Sequence, residues 1–413
     1  MIFIREKHLP FWLDKEETLE FPTVKDKTKV DVAIVGGGIV GITTGLMLKK
    51  QGFKVGIIES KKIASDVTGS TTAKITISSN LVYDEILSDF GLEIALKFRD
   101  ANILAFDKIS EIINEYKIDC DYEKIPLYIY STNKNNYKDI EKEYKALQKL
   151  DIDADLTDDF QMPFNEESFK ENNAKNNDSE SNIDINKAIK YNNQAIFHPK
   201  KYSNALVKLI PGEGSHVFEN TKVIDIKEGE INRIITEKGD IFADSIIIAT
   251  NSPIYDPDST LSYMSPPIKS YMLGVYVKEN IPDSMFVDIN PFHTYRKTPT
   301  KKGDLLIIAG EHHHTGKSKD TNANFKKLIE YTKKKFNVNS IEYFWSNQDN
   351  KTIDRLPVIG ETSQKGIYIS TGFGSWGMVK ATLAGIMLTD LISNKKIFML
   401  KFSHQKDLKN KNQ

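Results

Sequence analysis

Residues Asp31–Glu59 have the sequence DVAIVGGGIVGITTGLMLKKQGFKVGIIE, and this stretch decides the fold. The apolar run Val32–Val35 predicts a short buried strand of a parallel sheet. The glycines that follow have the spacing GxGxxG, which is typical of a tight turn leading into a helix. A helix, a second apolar strand and an acidic residue complete the pattern. The stretch therefore predicts a strand–turn–helix–strand unit of an α/β fold.

Each glycine of this unit has its own physical role in binding a dinucleotide. Gly36 permits the tight turn, Gly38 lets the backbone approach a pyrophosphate, and Gly41 lets the helix pack closely on the strand. Glu59 stands where a carboxylate can bind both hydroxyls of an adenosine ribose. Because a carboxylate there repels a ribose phosphate, the unit predicts FAD or NAD rather than NADP.

The composition indicates an ordinary globular protein, long enough for two domains. The chain has 413 residues, of which 27% are charged and 39% hydrophobic, with a net charge of −1. This balance offers no general attraction to nucleic acid or to an anionic membrane. The single cysteine, Cys120, excludes an intramolecular disulfide and argues against a cysteine-based metal site. We expect a cytoplasmic protein with no nucleic-acid partner, no membrane partner and no metal.

The segment that follows Glu59, SKKIASDVTGSTTAKITISSN, is rich in Ser, Thr and Gly. It suits either a flexible loop or a cofactor lining made largely of backbone, and the preceding glycine motif favours the lining. A later segment near 165–182 is short of apolar residues and cannot bury a core. We expect a mobile surface insertion there, with a functional lid as the alternative.

The remaining elements follow from hydrophobic periodicity and turn residues. Helices are predicted over 81–118, 133–150, 200–209 and 322–336. Strands are predicted over 122–132, 215–227, 231–236, 243–250 and 341–347, and residues 268–310 alternate as antiparallel strands do. Phe11 and Trp12 are expected on the domain surface. His312, His313 and His314 are adjacent and lack supporting ligand spacing, which favours an exposed loop over a metal site.

A second glycine-rich turn lies near the C-terminus, in the sequence YISTGFGSWGM. A strand over 366–370 precedes Gly372, Gly374 and Gly377, and a helix follows. Such a turn brings backbone amides to a helix N-terminus, which attracts electron-rich atoms. Two turns of this kind are unusual for an NAD dehydrogenase and suit FAD, which needs one turn near the pyrophosphate and another near the isoalloxazine.

At this point the sequence resembles FAD-dependent oxidoreductases of the D-amino acid oxidase type, including glycine oxidase and sarcosine oxidase. The resemblance covers essentially the whole chain and is carried by the two glycine stretches, IFHPKKYSNAL and SIIIATN. It implies an α/β (α+β) protein in which a Rossmann-like FAD-binding domain is interleaved with a mixed, mainly antiparallel β-sheet substrate domain. The expected FAD-binding segments are 1–120, 195–265 and 350–413. The expected substrate-domain segments are 121–194 and 266–349.

Within this group the chain looks closest to bacterial members that carry GSTTAKIT after the acid and usually continue into a C-terminal Rieske domain. The sequence ends at Gln413 without the Cys and His pairs that a Rieske cluster needs. We therefore expect no electron route through such a cluster, unless a separate protein supplies it.

The resemblance also implies which residues contact FAD. Those expected along the pyrophosphate, ribose and adenine are Gly36, Gly38, Gly41, Glu59, Ser60, Lys61, Val223, Ala249 and Thr250. Those expected from the pyrophosphate along the flavin ring are Ser70, Thr71, Thr72, Ala73, Lys74, Gly372, Gly374, Ser375, Trp376, Gly377 and Met378. Non-covalent binding is expected, because Cys120 lies far from the C-terminal cysteine that attaches the flavin in some relatives.

One departure from the family pattern affects the substrate. Where relatives hold a substrate carboxylate with an arginine, this chain has Asp349, and a carboxylate does not bind a carboxylate without a bridging cation. Arg296 and Arg355 are candidates to replace that arginine, but neither is at the matching position. An amine substrate paired with Asp349 is the alternative to an α-amino acid.

The expected reaction is C–N oxidation, with hydride transfer from the carbon bearing a neutral amine to flavin N5. Lys74 is the preferred residue for tuning the flavin's charge, and a solvent-facing Lys74 is the alternative. Trp376 suits a pocket wall or core packing equally. Tyr271, His293 and Tyr295 are weaker pocket candidates from the substrate domain.

The expected electron acceptor is oxygen or a redox protein. A flavin electron-transfer or sensor protein that works with a separate redox partner is the alternative function.

Overall fold

The computed structural model describes residues 3–14, 16–164, 187–257, 260–317 and 320–395, so the predicted insertion near 165–182 lies outside the described residues. The described α-helices are α1 (Ile39–Lys50), α2 (Tyr83–Glu115), α3 (Tyr137–Lys149), α4 (Pro199–Val207), α5 (Thr260–Met264), α6 (Thr321–Lys335) and α7 (Gly377–Ile392). None of these helices has the length and apolar composition needed to cross a membrane.

The described strands number from β1 to β20 in chain order. They are β1 (Phe3–Lys7), β2 (Thr28–Val35), β3 (Val55–Ile58), β4 (Lys74–Ile75), β5 (Glu123–Lys124), β6 (Leu127–Tyr130), β7 (Ala154–Thr157), β8 (Ala188–Tyr191), β9 (Ala195–Ile196), β10 (His216–Phe218), β11 (Val223–Lys227), β12 (Asn232–Thr236), β13 (Asp240–Ile248), β14 (Pro267–Val277), β15 (Met285–Ile289), β16 (Phe292–Thr300), β17 (Gly303–His314), β18 (Val338–Asn350), β19 (Val358–Glu361) and β20 (Ile367–Thr371). They form two large sheets and one small sheet, β4–β9–β5.

The first large sheet has eight strands and contains the glycine-motif unit. Its order is β10–β3–β2–β13–β12–β11, with β20 paired to β13 and β19 paired to β20. Strands β10, β3, β2, β13 and β20 run parallel, and α1 packs against α7 beside them. The apolar runs predict this arrangement correctly, since strands buried on both faces need no polar alternation.

The second large sheet has nine strands in the order β1–β18–β14–β17–β16–β15–β6–β8–β7. Its centre, from β18 to β15, is antiparallel, whereas β1–β18 and β15–β6 are parallel pairs. Helix α6 packs on β14 and β17. The mixed α/β fold class expected from the sequence is therefore confirmed.

The N-terminal segment joins the second sheet rather than the first. Strand β1 pairs with β18 through Phe3 and Ser340, so part of the segment 1–120 lies at an edge of the nine-stranded sheet. The domain boundaries otherwise stay a prediction.

Two expectations from local composition are wrong. Trp12 is fully buried, and its indole N–H donates to the carbonyl of Thr71 at 2.6 Å, so it does not lie on the surface. His312–His314 belong to β17 rather than to a loop, because β17 pairs with β14 as far as Ile268 and His314. Among the described residues there is no His, Cys, Asp and Glu group that could hold a metal ion.

A buried carboxylate fixes the start of α2, the long helix that borders the site described below. Glu143 of α3 is fully buried and accepts hydrogen bonds from the backbone N–H groups of Tyr83 at 3.1 Å and Asp84 at 2.8 Å. The first N–H groups of a helix have no acceptor within the helix, so this contact caps α2 and fastens α3 to it. Tyr191 adds a third donor through its hydroxyl.

Burial raises the pKa of Glu143 to about 7, from an ordinary value of 4.5. Between these values the folded chain binds more protons than the unfolded chain, so the free energy of unfolding falls as the pH rises. The variant Glu143→Gln lacks this charge. Urea unfolding measures the free energy of unfolding at pH of about 5 and at pH of about 7.5. Between these two values the wild-type chain should lose roughly 2–3 kcal/mol more of that free energy than Glu143→Gln does. Equal pH dependence of the two chains would contradict this origin of the pH effect.

Candidate active site

A cavity of about 1660 Å³ opens between the two large sheets. Both glycine turns line it, together with the segment after β3 and the facing sides of β14, β16 and β18. Sites for drug-sized ligands occupy roughly 300–1,000 Å³. This cavity therefore has room for a long cofactor and a small second molecule.

The first glycine turn is closed by contacts that leave no space for a side chain. Gly36 has φ of +115°, and a Cβ there would lie 2.4 Å from the carbonyl oxygen of Ala249. A Cβ on Gly41 would lie 2.0 Å from the carbonyl oxygen of Gly36. Gly38 precedes α1, and the N–H of Ile39 is capped by the hydroxyl of Thr68. The helix N-terminus consequently faces the cavity with backbone at its surface.

Glu59 ends β3 at the same edge of the sheet and is held by its neighbours. One carboxylate oxygen accepts the N–H of Gly37 at 2.8 Å. The other accepts the N–H of Lys61 at 2.8 Å and the hydroxyl of Ser60 at 3.1 Å. The carboxylate is partly exposed to the cavity, as a group that recognises ribose hydroxyls must be.

Lys74 lies on the cavity wall and is buried, so the solvent-facing alternative is wrong. Its Nζ donates to the hydroxyl of Thr294 at 2.8 Å, across from the second sheet. Burial, helped by the nearby charge of Arg296, lowers the pKa of Lys74 well below its usual value. A lysine whose pKa is lowered in this way is suited to accept a proton.

The second glycine turn is built around Asp349, the last acidic residue of β18. Gly372, Gly374 and Ser375 all have positive φ, between 63° and 83°. The carboxylate of Asp349 accepts the backbone N–H groups of Asn350 and Ser375, and burial raises its pKa. Both oxygens are therefore engaged by the backbone. These contacts support a role in shaping the turn. Asp349 also lines the cavity, and its catalytic role stays a prediction.

Most of the residues predicted to contact the cofactor lie together in this cavity. Those that line it are Gly36, Gly38, Glu59, Ser60, Ser70, Thr71, Thr72, Lys74, Val223, Ala249, Thr250, Gly372, Gly374, Ser375, Trp376, Gly377 and Met378. The other three do not. Gly41 packs α1 on the turn, Lys61 is exposed beside Asp66, and Ala73 is buried behind the lining. Trp376 both lines the cavity and packs against the core.

The pocket candidates from the nine-stranded sheet lie on the face of the sheet that points away from the cavity. Tyr271, His293 and Tyr295 are buried and do not line the cavity, and their rings pack against residues of α6 or the loop after it. Successive side chains of a strand point to opposite faces, so the adjacent residues face the cavity instead. These residues are Ser270, Met272, Phe292 and Thr294. The sequence alternation could have revealed them, had the side of the sheet that α6 covers been known.

Neither candidate arginine is free to bind a substrate carboxylate. Arg296 is buried outside the lining, where it donates to the carbonyls of Ala73 and Phe197 at 2.9 and 3.3 Å. Arg355 lines the cavity but is ion-paired with Glu85, and Asp89 lies 3.9 Å from it. Both arginines are therefore already held by other groups of the protein.

A model of the family "FAD dependent oxidoreductase" matches residues 31–391. The chain belongs to this family. It is 33% identical over 398 residues to the Bacillus subtilis (strain 168) protein named putative Rieske 2Fe-2S iron-sulfur protein YhfW, covering 95% of this chain and 74% of that protein. It is 23% identical over 387 residues to gamma-glutamylputrescine oxidoreductase of Escherichia coli (strain K12), covering 90% and 85%.

Solved structures share the fold. Glycine oxidase from Geobacillus kaustophilus matches with a TM-score of 0.71 at 18% identity, over 90% of this chain and 97% of that one. L-proline dehydrogenase from P. horikoshii matches with a TM-score of 0.65 at 20% identity, over 92% and 96%. The resemblance drawn from the sequence is therefore confirmed for the family and the fold, and the chain is an FAD-dependent oxidoreductase.

The cavity fits FAD on evidence from its own polar atoms. The side-chain oxygens of Asn347, Thr352 and Ser370 are buried on its wall and have no hydrogen-bond partner within the described ranges. Buried polar groups are normally satisfied, so these oxygens mark places where a polar ligand would bind. With the helix N-terminus at Gly38 and the carboxylate of Glu59, they give the cavity polar partners for a dinucleotide.

The role of Asp349 can be tested by a change of one atom. In Asp349→Asn an amide NH2 must face one of the two backbone N–H groups that the carboxylate accepts, which loosens the second glycine turn. We expect the dissociation constant for FAD to rise about tenfold, as the loss of one charged hydrogen bond implies. Titration of the apoprotein measures it, and Asp244→Asn, at an exposed acid of β13, should leave it unchanged. An equal dissociation constant for FAD in Asp349→Asn and in wild type would show that Asp349 does not hold the turn in the form that binds FAD.

Proposed function

We propose that the chain oxidises a C–N bond of a small amine or amino acid, with FAD bound non-covalently. The observation that carries the proposal is Lys74, a buried lysine on the cavity wall whose Nζ bonds the hydroxyl of Thr294. When bound, FAD would accept the hydride that leaves the carbon bearing a neutral amine, and water would then hydrolyse the resulting imine.

Lys74 acts first as a proton acceptor in this proposal. An amine reaches the site mostly as an ammonium ion, which must lose a proton before a hydride can leave its carbon. Because the pKa of Lys74 is lowered by burial and by Arg296, its Nζ is suited to take that proton. The proton turns Lys74 into a cation beside the site, where it stabilises the negative charge that reduction brings.

The cofactor contacts follow the two glycine turns. We assign the pyrophosphate to the N-terminus of α1, the ribose to Glu59, and the flavin ring to the space between the segment 70–74 and the turn 372–378. Cys120 supports non-covalent binding, because it is buried outside the lining and burial raises the pKa of its thiol to about 12. Lys61 is left out of the contacts, since its side chain is exposed.

We place the substrate beside Met272, Phe292 and Thr294 of the nine-stranded sheet. Together with Trp376 of the second glycine turn, they offer mainly apolar walls. Such walls suit a small molecule. Asp349 is not assigned to the substrate amine, because its side chain is buried, unlike that of Glu59, and both of its oxygens hold backbone N–H groups. The names of the similar proteins refer to gamma-glutamylputrescine, glycine and L-proline, which are all amines or amino acids, and this supports the C–N class.

A panel of possible substrates tests the proposed reaction. The flavin-loaded protein is mixed without oxygen with glycine, sarcosine, both enantiomers of proline and alanine, and N-alkylated diamines. We expect at least one of them to bleach the flavin absorbance, while the C–O substrates lactate and glycerol 3-phosphate do not. Reoxidation by dissolved oxygen or by a redox protein then identifies the acceptor.

Bleaching by no amine, together with rapid reduction by a reduced redox protein, would overturn the proposal. That result would favour the alternative, a flavin electron-transfer or sensor protein that works with a separate redox partner.

The role of Lys74 is tested with the substrate that the panel finds. Lys74→Met keeps the bulk of the side chain and removes its proton site, so flavin reduction should slow at least about tenfold. The wild-type rate should rise with pH as Lys74 loses its proton, and Lys74→Met should lose that ionisation. Lys269→Met, at a lysine of β14 outside the cavity lining, is the matched control. Unchanged reduction and reoxidation rates in Lys74→Met would remove Lys74 from the mechanism.

A further inference from the structure

Four consecutive carbonyl groups of the cofactor-lining segment are held from the side away from the cavity. The indole N–H of Trp345 donates to the carbonyl of Ser70 at 2.8 Å, and that of Trp12 donates to the carbonyl of Thr71 at 2.6 Å. Nη1 of Arg296 lies 3.4 Å from the carbonyl oxygen of Thr72 and 2.9 Å from that of Ala73. The run of carbonyls from 70 to 73 is therefore fixed by three side chains.

These three side chains are remote in sequence and deeply buried. Trp12, Arg296 and Trp345 are 0%, 1% and 2% exposed, and they come from the N-terminal segment, β16 and β18. The guanidinium of Arg296 lies 5.2 Å from the ring centre of Trp12. An indole N–H is only a donor, and a buried donor without an acceptor is costly. The carbonyls and the donors consequently determine one another's positions.

The geometry of the peptide bond decides what the segment presents to the cavity. In a trans peptide the N–H points opposite to the C=O of the preceding residue. Because Trp12 holds the carbonyl of Thr71, the N–H of Thr72 is turned towards the cavity, which Thr72 lines. Within the part of the chain that the structure describes, this N–H has no acceptor. It is a donor in place for a ligand.

Arg296 adds charge to this arrangement. Its guanidinium makes no ion pair within the described residues, and it contacts peptide carbonyls instead. The carbonyls that it contacts share their peptide groups with the N–H groups of Ala73 and Lys74, not with that of Thr72, and the N–H of Ala73 donates to the hydroxyl of Thr71 at 3.1 Å. Arg296 therefore acts on the cavity as a charge: a buried cation directly behind the lining raises the electrostatic potential at residues 70–73.

We propose that Trp12, Arg296 and Trp345 form a carbonyl clamp, which positions residues 70–73 so that the N–H of Thr72 and a positive potential meet the flavin end of the cofactor. The clamp residues are positioning residues that set flavin affinity and reduction potential. This inference rests on the proposed placement of the flavin beside residues 70–74.

The variants Trp12→Phe and Trp345→Phe remove one N–H each and keep an aromatic ring. We expect each to raise the dissociation constant of the apoprotein for FAD about five- to tenfold, the effect of one buried hydrogen bond. The reduction potential of the bound flavin should become more negative, because less positive potential favours the oxidised form. Tyr343→Phe is the matched control. It removes a hydroxyl bonded to Asp14 in the adjoining aromatic cluster, and it should change neither quantity.

Substitutions of Arg296 separate charge from packing. Arg296→Lys keeps the charge and should hold the flavin potential near its wild-type value, whereas Arg296→Gln should make it more negative. Wild-type FAD affinity and flavin potential in both tryptophan variants, with only a lower melting temperature, would overturn the clamp. These readouts need no substrate, so they remain valid if the substrate panel bleaches no flavin.

Discussion

The structure depends on the close approach of Gly36 to the carbonyl of Ala249. An ideal Cβ at Gly36 would lie 2.4 Å from that oxygen, so β2 and β13 can end side by side only with glycine here. In the same turn Gly41 packs directly against the carbonyl of Gly36, and this contact brings the N-terminus of α1 to the edge of the sheet. Because the carboxyl ends of neighbouring parallel strands meet at one edge, Glu59 and Thr250 come to the same place.

The second sheet is joined to this edge by a small number of polar contacts. The side-chain amide of Asn350, at the end of β18, donates to the carbonyl of Asn251 at 3.3 Å. The backbone carbonyl of Asn350 accepts the N–H of Gly374 at 2.8 Å. Asp349 beside it accepts the N–H of Ser375. The last two residues of one sheet thus organise the glycine turn of the other. The cavity is the space that these contacts leave between the sheets.

The sequence predicted those parts of the fold and the site that depend on local chemistry. The glycine turns, Glu59 and the polar segment that ends at Lys74 are recognisable because backbone conformation restricts which residues fit. What depends on distant contacts was missed. Trp12 is buried because a carbonyl at Thr71 accepts its N–H, and nothing near Trp12 in the chain indicates this. Which side chains of a strand face the cavity depends on which face of the sheet α6 covers. The sequence does not show this, so Tyr295 was predicted as a pocket residue in place of Thr294.

The central claim is that FAD lies along the cavity from the N-terminus of α1 to the space between Lys74 and Trp376. Electron density from crystals of the flavin-loaded protein measures this most directly. The account predicts the pyrophosphate at Gly38, the ribose on Glu59, and the flavin ring within hydrogen-bond distance of the N–H of Thr72. Density that places the flavin ring away from residues 70–74, or the pyrophosphate away from α1, would contradict it.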